Sequence, residues 1–279
     1  MDRDLTEAEF QRFHDLIYSL TGIHYPATKT TLLSNRLRKR LAASNTPSFE
    51  AYLRRLQNPR DPEVQTFLDT ITTNETYFFR CQRHWDFFRT WAEARKNSEA
   101  VRREGFRIWS AAASTGAEAY TIAIVLHQLL GSEFGGVPVE IFGTDLSEKV
   151  LAEARAASFR SYALSQTPAD VVTRYFRKTD AETFQFEPKL ARVVTFQRHN
   201  LMEPLPGRRQ FDFVFLRNVM IYFDEPSKKK VLGHAHDVLR PGGYLLVGES
   251  ESLLNLEHPF TYVKPSTFQR PAPAGAGTR

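Results

Sequence analysis

Short apolar runs alternate with helical patterns from about residue 105 onward, and this alternation constrains the fold more than any other feature of the sequence. The runs, each bounded by turn or polar residues, are Phe106–Ala112, Val139–Thr144, Val193–Gln197, Phe211–Leu216 and Tyr244–Gly248. Helical patterns separate several of them, at Ala117–Leu130, Ser147–Ala157 and Pro226–Leu239. This order predicts an α/β fold with a doubly wound, mostly parallel sheet, in which ligands bind at the carboxyl ends of the strands.

Residues 1–72 have a helical period instead, and we predict that they form a small all-helical domain. Thr6 and Glu9 have capping-box spacing, and Gly22 is a stop signal for the first helix. Further helical patterns extend over Lys29–Ala43, Ser48–Gln57 and Pro62–Ile71. The Lys29–Ala43 helix concentrates the basic excess of the chain in Lys29, Arg36, Arg38, Lys39 and Arg40.

The other segments complete the predicted organisation. Residues 73–104 are predicted to be a linker and a connecting helix, residues 105–270 the sheet domain, and residues 271–279 a flexible tail. Within the sheet domain, a helix at about Pro168–Phe176 and the alternating run Thr183–Phe186 predict an inserted antiparallel β-hairpin subdomain at about residues 176–192. We predict a tight turn at Pro241-Gly242-Gly243 and a terminal strand pair within Phe260–Arg270.

Composition and charge exclude several classes of protein. A chain of 279 residues that is 42% hydrophobic can bury a large core, and its one cysteine, Cys81, excludes a disulfide framework or a zinc site with two cysteines. No window approaches the roughly 18 apolar residues of a membrane span, and the acidic start Met1–Asp4 lacks an apolar signal region. We therefore expect a soluble, cytoplasmic protein without membrane insertion. The net charge of +5 leaves nucleic acid, an anionic surface and an acidic protein open as partners.

The first two predicted strands end in residues that suit a ligand with a ribose. The turn Ser110–Gly116 consists mostly of small residues, which let backbone N–H groups and a helix N-terminus approach a ligand, although an ordinary tight turn would look the same. The second strand ends at Asp145, whose carboxylate could accept hydrogen bonds from a ribose diol. Capping of the next helix by Asp145 or Ser147 is the alternative.

Polar residues also follow the strand Phe211–Leu216. Arg217 and Asn218 at its end need polar partners if they are buried, which implies either a ligand or a fixed salt bridge. Tyr222 fits a core tyrosine or a ring that faces a cationic ligand. The upstream linker segment Thr73–Arg80 contains three consecutive aromatic residues, which indicates a segment folded against the site or a packed strap between domains.

Taken in order, these segments resemble the chemotaxis receptor glutamate methyltransferase family (CheR). The most distinctive pieces are Thr-Asn-x-Thr-x-Phe-Phe-Arg and Arg-Asn-Val-Met-Ile-Tyr-Phe. The matching stretches follow the family's order and spacing over about residues 5–270: Thr73–Arg80, Trp109–Tyr120, Phe142–Ser147, Arg198–Leu201, Phe211–Asp224 and Leu239–Ser252.

The resemblance implies a Rossmann-like, class I S-adenosylmethionine-dependent methyltransferase. Such an enzyme (EC 2.1.1 class, protein-glutamate O-methyltransferase) esterifies glutamates on the cytoplasmic helical bundle of chemoreceptors for sensory adaptation and releases S-adenosylhomocysteine. The implied cofactor-binding residues are Asn74, Thr76, Arg80, Glu118, Asp145, Asn200, Leu201, Arg217 and Asn218. Among them, Asp145 would bind the ribose, Asn200 and Leu201 would lie by the adenine, and Arg217 and Asn218 near the methionine part.

The resemblance also implies catalytic and docking residues. Tyr222 matches the family tyrosine next to the transferable methyl, and Arg80 would hold the cofactor carboxylate or orient the incoming glutamate. The implied receptor-docking residues lie on the basic helix and are Arg36, Arg38, Lys39 and Arg40. We expect a monomer. We also expect no metal, since His234 and His236 point to different faces of their predicted helix and cannot form a metal-binding pair.

Two features depart from the family pattern. Ala112 stands where many members have glycine, which lets the backbone approach the cofactor. An alanine is tolerable there if its φ is negative, although its side chain could weaken the affinity for the cofactor. The hairpin between Phe176 and Leu190 is short. In some members this hairpin grips a tethering peptide at the receptor's C-terminus, and we expect tether-independent docking here.

Three rival functions are compatible with parts of the sequence. A small-molecule methyltransferase would share the sheet but would not need a basic helical domain. A non-enzymatic binder would have lost the cofactor at the alanine-rich turn, and it would give no heat on titration with S-adenosylmethionine. A nucleic-acid-binding protein is suggested by the pI of 9.3 alone, and no known motif supports it.

Overall fold

A computed structural model describes residues 3–272 of the chain. Its helices are α1 Glu7–Thr21, α2 Thr30–Ala43, α3 Phe49–Leu56, α4 Glu63–Ile71, α5 Gln82–Arg95, α6 Glu99–Glu104, α7 Ala117–Leu130, α8 Glu148–Ala156, α9 Ala169–Tyr175, α10 Pro188–Ala191 and α11 Glu225–Val238. Its strands are β1 Phe106–Ala111, β2 Val139–Asp145, β3 Ser158–Arg160, β4 Phe176–Lys178, β5 Thr183–Phe186, β6 Val194–Arg198, β7 Phe211–Leu216, β8 Leu239–Val247, β9 Thr261–Lys264 and β10 Thr267–Gln269.

The main sheet has seven strands in the order β6-β2-β1-β7-β8-β10-β9. The five strands from β6 to β8 pair in parallel, whereas β10 pairs antiparallel with both β8 and β9. Successive residues of a strand point to opposite faces, so Phe213 and Phe215 pack against α5 and α7 while Val214 and Leu216 pack on the α11 side. The predicted doubly wound, mostly parallel sheet and the terminal strand pair are confirmed.

The four N-terminal helices enclose a core of their own, with Phe13, Leu37 and Phe67 fully or almost fully buried. The predicted capping box begins α1: the Glu9 N–H donates to Thr6 Oγ1, and the Thr6 N–H donates to the Glu9 carboxylate at 2.9 Å. Gly22 ends α1 in the left-handed region, with a φ of 70°. The predicted all-helical domain is therefore present.

The predicted inserted hairpin is confirmed as the antiparallel pair β4 and β5, and a third strand that the sequence did not reveal, β3, extends it in the order β3-β5-β4. One local prediction was wrong. Strand β8 begins at Leu239 instead of Tyr244, because Pro241-Gly242-Gly243 continues the strand through a register shift opposite β7. The predicted flexible tail lies outside the described residues beyond its first two positions.

The helical domain contacts the sheet domain at the carboxyl edge of the parallel strands. Ile23 and Phe223 form an antiparallel bridge, and the His24 N–H donates to the Tyr222 carbonyl at 2.8 Å. The Tyr18 hydroxyl donates to Asp224 Oδ2 at 2.9 Å. These contacts close one side of the space above the strand ends, which is where doubly wound folds bind ligands.

Candidate active site

A pocket lies between the helical domain and the carboxyl ends of β1, β2 and β7. Every residue that the sequence predicted to bind the cofactor or to act in catalysis lines it: Asn74, Thr76, Arg80, Glu118, Asp145, Asn200, Leu201, Arg217, Asn218 and Tyr222. These residues come from segments far apart in the chain, and the fold brings them to one cleft.

The turn after β1 has a left-handed backbone at residues that are not glycine. Ala112 has a φ of 60° and Ser114 a φ of 51°. Our condition for a tolerable alanine at position 112, a negative φ, is therefore not met, and the side chain stands in a conformation that costs an L-residue about 1–2 kcal/mol. The turn still directs backbone N–H groups inward, since that of Ser114 donates to Asp145 Oδ2 at 2.9 Å.

Asp145 braces this turn from the end of β2. Its second oxygen accepts from the Ser147 N–H at 3.0 Å, while Ser147 is itself the N-cap of α8. Burial raises the pKa of Asp145, although the N–H groups of Ser147 and Ser114 act in the opposite direction. A carboxylate has about four lone-pair sites, so Asp145 retains capacity to accept hydrogen bonds from ribose hydroxyls.

Arg217 and Glu118 form a buried ion pair across the floor of the pocket. Arg217 Nη1 lies 2.9 Å from Glu118 Oε2, and the two side chains are 3% and 12% exposed. The Ser110 hydroxyl donates to the other Glu118 oxygen at 2.7 Å, and Arg217 also donates to the Arg80 carbonyl. The fixed salt bridge that we considered for Arg217 is thus present, and Arg217 Nε is buried without a partner in the described part of the chain.

The linker segment is folded against the site. Phe78 inserts into the β subdomain, where its ring lies 4.8 Å from that of Phe159 and 5.0 Å from that of Phe176. Its neighbours Phe79 and Cys81 have φ values of 57° and 65°, so Arg80 lies between two left-handed residues. This arrangement of the backbone turns the Arg80 side chain into the pocket, where Nη1 donates to the Glu75 carbonyl at 3.2 Å.

Tyr222 lies at the mouth of the pocket on a single turn of 3-10 helix, Met220–Tyr222, and is half-buried. The Lys29 ammonium lies 5.9 Å from the centroid of its ring. Lys29, just before α2, and Leu32, within α2, also line the pocket. Our sequence reasoning missed this, since no local signal distinguishes a pocket-lining lysine from a docking one.

Some predicted residues have partners within the protein. The Asn200 amide donates to the Leu20 carbonyl at 2.8 Å, so this side chain links the two domains. Arg36 donates to the Tyr25 hydroxyl at 2.8 Å and to the Ile71 carbonyl. Arg40 forms a bidentate ion pair with the buried Glu63, and Arg38 lies 3.6 Å from Asp4. Of the four predicted docking residues, Lys39 is exposed and the three arginines are partly buried, and the docking role of all four stays a prediction.

Comparison with protein families identifies the two parts of the chain. Residues 74–268 match the CheR methyltransferase, SAM binding domain, and residues 8–72 match the CheR methyltransferase, all-alpha domain. The chain belongs to the CheR methyltransferase family. It is accordingly an S-adenosylmethionine-dependent methyltransferase of chemotaxis, as the resemblance implied.

Curated members of the CheR family are similar over almost their whole length. The "Chemotaxis protein methyltransferase" of Borreliella burgdorferi is 32% identical over 96% of this chain and 95% of its own. The proteins of the same name from Salmonella typhimurium and Escherichia coli are 37% and 36% identical, each over 92% of this chain and 88% of its own.

The pocket of this CheR family member fits the cofactor chemically. Asp145 would accept hydrogen bonds from a ribose, and the turn at Ala112 and Ser114 would let a polar ligand approach the backbone closely. Glu118 and Arg217, which pair with each other in this structure, would offer opposite charges to the amino and carboxylate groups of a methionine part. Among the described helices, none is long and apolar enough to cross a bilayer.

Proposed function

We propose that this methyltransferase transfers the methyl group of S-adenosylmethionine to glutamate side chains on the cytoplasmic helical bundle of chemoreceptors and forms methyl esters. The observation that carries the proposal is the position of Tyr222 and Lys29 together at the cofactor pocket, with Lys29 at the N-terminal end of the basic helix α2. On this proposal the enzyme acts in the cytoplasm, as a monomer, and docks without a receptor tether.

The chemistry needs positioning more than proton transfer. S-adenosylmethionine, when bound, supplies a methyl group that its sulfonium already activates. A glutamate acceptor has an ordinary pKa of about 4.3, so it arrives ionised at neutral pH and needs no general base. The residues of the pocket therefore have to hold the two reactants in line and exclude water, which can supply most of the acceleration.

The charges around the pocket mouth suit this task. Opposite charges disappear in the transition state, so a site that stabilised either charge strongly would slow the reaction. The Tyr222 ring can orient a cation through its π face without neutralising it. Lys29, above the same ring, can guide an incoming carboxylate, and Arg80 on the opposite linker can hold the cofactor carboxylate or orient the acceptor.

A transfer assay tests the proposal. The enzyme is incubated with radiolabelled S-adenosylmethionine and receptor cytoplasmic fragments, and the labelled fragment is then treated with base. Methyl esters release labelled methanol under these conditions. Label that survives base would show a different acceptor group, and no heat on calorimetric titration with the cofactor would favour a non-enzymatic binder.

The Tyr222→Phe variant tests the site. The ring and its π face are retained, so cofactor binding should not change. On our proposal the Tyr222 hydroxyl makes one hydrogen bond to the reacting groups, and loss of such a bond, worth about 1 kcal/mol, should lower kcat roughly fivefold. Tyr262→Phe is the matched control, because Tyr262 is 51% exposed on strand β9, outside the pocket. An unchanged rate of methyl transfer in Tyr222→Phe would remove the hydroxyl from the mechanism.

A further inference from the structure

Glu251 is a buried carboxylate that does not line the cofactor pocket. It lies in the segment after β8 and is 6% exposed. Its Oε2 accepts hydrogen bonds from the backbone N–H groups of Gly248, at 2.6 Å, and Asn218, at 2.7 Å. Its Oε1 accepts from the Ile221 N–H at 3.2 Å.

Two of these three donors belong to residues 217–222, the segment that carries Arg217, Asn218 and Tyr222 into the pocket. This segment leaves β7 with Asn218 in the left-handed region, at a φ of 58°, and continues as one turn of 3-10 helix. Its backbone N–H groups have no strand partner there, and a buried N–H must find an acceptor. Glu251 supplies that acceptor at two positions, Asn218 just before the 3-10 turn and Ile221 within it.

No lysine, arginine or histidine of the described chain forms an ion pair with Glu251. Its hydrogen-bond partners are instead three backbone N–H groups, and the two carboxyl oxygens are the acceptors that these donors need.

The contact at Gly248 shows how closely these parts are packed. A Cβ atom at this position would lie 2.6 Å from Glu251 Oε2 and 3.0 Å from both the backbone N and the side-chain amide N of Asn218. The end of β8, the carboxylate and the 217–222 segment therefore meet without spare room, and a displacement of the carboxylate would move Asn218 and the turn that ends at Tyr222.

We propose that Glu251 is a positioning residue for methyl transfer, which holds the 217–222 segment so that Asn218 and Tyr222 face the reacting groups. The inference rests on the proposed function, because it assigns Tyr222 to the transfer step. In reactions that depend on alignment, a misplacement of about 1 Å can cost on the order of a hundredfold in rate.

The test compares Glu251→Gln with Glu249→Gln in the methyl-transfer assay. The new amide has to turn an NH₂ group toward at least one backbone N–H, so the segment should loosen, and kcat should fall on the order of tenfold to a hundredfold. The KM for receptor fragment should change little. Glu249 is a matched control two residues away, since it is half-exposed and pairs with the exposed Arg83. Glu251→Asp, which keeps the charge, should recover part of the rate.

Hydrogen exchange provides a readout that is independent of catalysis. The amides of residues 217–222 should exchange faster in Glu251→Gln and in Gly248→Ala, which displaces the carboxylate without changing any charge. Wild-type kcat in Glu251→Gln, or faster exchange with an unchanged kcat, would overturn the inference. If the wild-type protein itself transfers no methyl to receptor fragments, the proposed function fails instead, and this outcome is distinguishable from the others. If Glu251→Gln does not fold, Gly248→Ala and Glu251→Asp provide the same comparison.

Discussion

The buried ion pair between Arg217 and Glu118 allows a prediction in which the magnitude follows from the structure. At the 2.9 Å separation of its atoms, Coulomb's law with an effective dielectric constant of about 20 gives an attraction of roughly 6 kcal/mol. The cost of removing both charges from water offsets much of this attraction. Glu118→Gln removes one charge only and leaves the Arg217 guanidinium buried, which typically destabilises a protein by about 3–5 kcal/mol.

Urea unfolding of the cofactor-free protein, followed by circular dichroism, measures this loss. Thermal unfolding provides a second measurement. With an unfolding entropy of about 2.1 cal/mol/K per residue, this loss of free energy of unfolding should lower Tm by about 5 to 9 °C. Glu249→Gln breaks the exposed pair with Arg83, whose side chains are 79% and 48% exposed, and should have no measurable effect.

A second variant separates the burial of a charge from the loss of a contact. Glu118→Gln combined with Arg217→Met removes both charges and should regain part of the lost stability, because the desolvation cost disappears with them. Equal stability of Glu118→Gln and Glu249→Gln would refute the reasoning, and so would a double variant that is less stable than Glu118→Gln.

Three further predictions concern stability and docking. Burial lowers the pKa of His84 to about 3, so below pH 6.5 the unfolded chain binds a proton that the folded chain does not. His84 alone should lower the free energy of unfolding by about 1 kcal/mol from pH 6 to pH 5. Urea titrations of His84→Gln should show a fall that is smaller by this amount, since burial also lowers the pKa values of His127, His199 and His236 and these residues remain. Ala112→Gly relieves a left-handed alanine and should raise the free energy of unfolding by about 0.5–1 kcal/mol in the same assay. The affinity for receptor fragments, measured by calorimetry, should decrease as the salt concentration rises, and it should decrease less steeply in Lys39→Glu. An affinity that does not depend on ionic strength would contradict docking by the basic helix.

Periodicity predicted the elements of this protein well where they are long. The capping box of α1, the parallel strands and the helices between them all have patterns that depend on neighbours within a few residues. Short elements escaped this reasoning: β3 has three residues, and the start of β8 is a register shift opposite β7. A register is decided by the neighbouring strand, which local sequence does not specify.

The basic helix shows the same limit for side chains. The sequence grouped Arg36, Arg38, Lys39 and Arg40 as one charged surface. In the structure, Arg40 is held by Glu63 and Arg36 by the Tyr25 hydroxyl, both of which approach from other parts of the helical domain. Helical spacing states which residues share a face, and it contains no information about which of them meet a partner.

Apolar periodicity alone indicates the α/β class, the helical domain and the strand ends near Asp145 and Arg217, because it shows which positions are buried and parallel strands end at one edge of the sheet. How those residues are held depends on contacts between segments that are distant in the chain. The hydrogen-bonded pair Arg217 and Glu118 is separated by 99 positions in the sequence. The pairs Ser114–Asp145 and Asn218–Glu251 are separated by 31 and 33 positions. Hydrogen bonds over such separations arise from packing of the whole chain, and no local pattern encodes them.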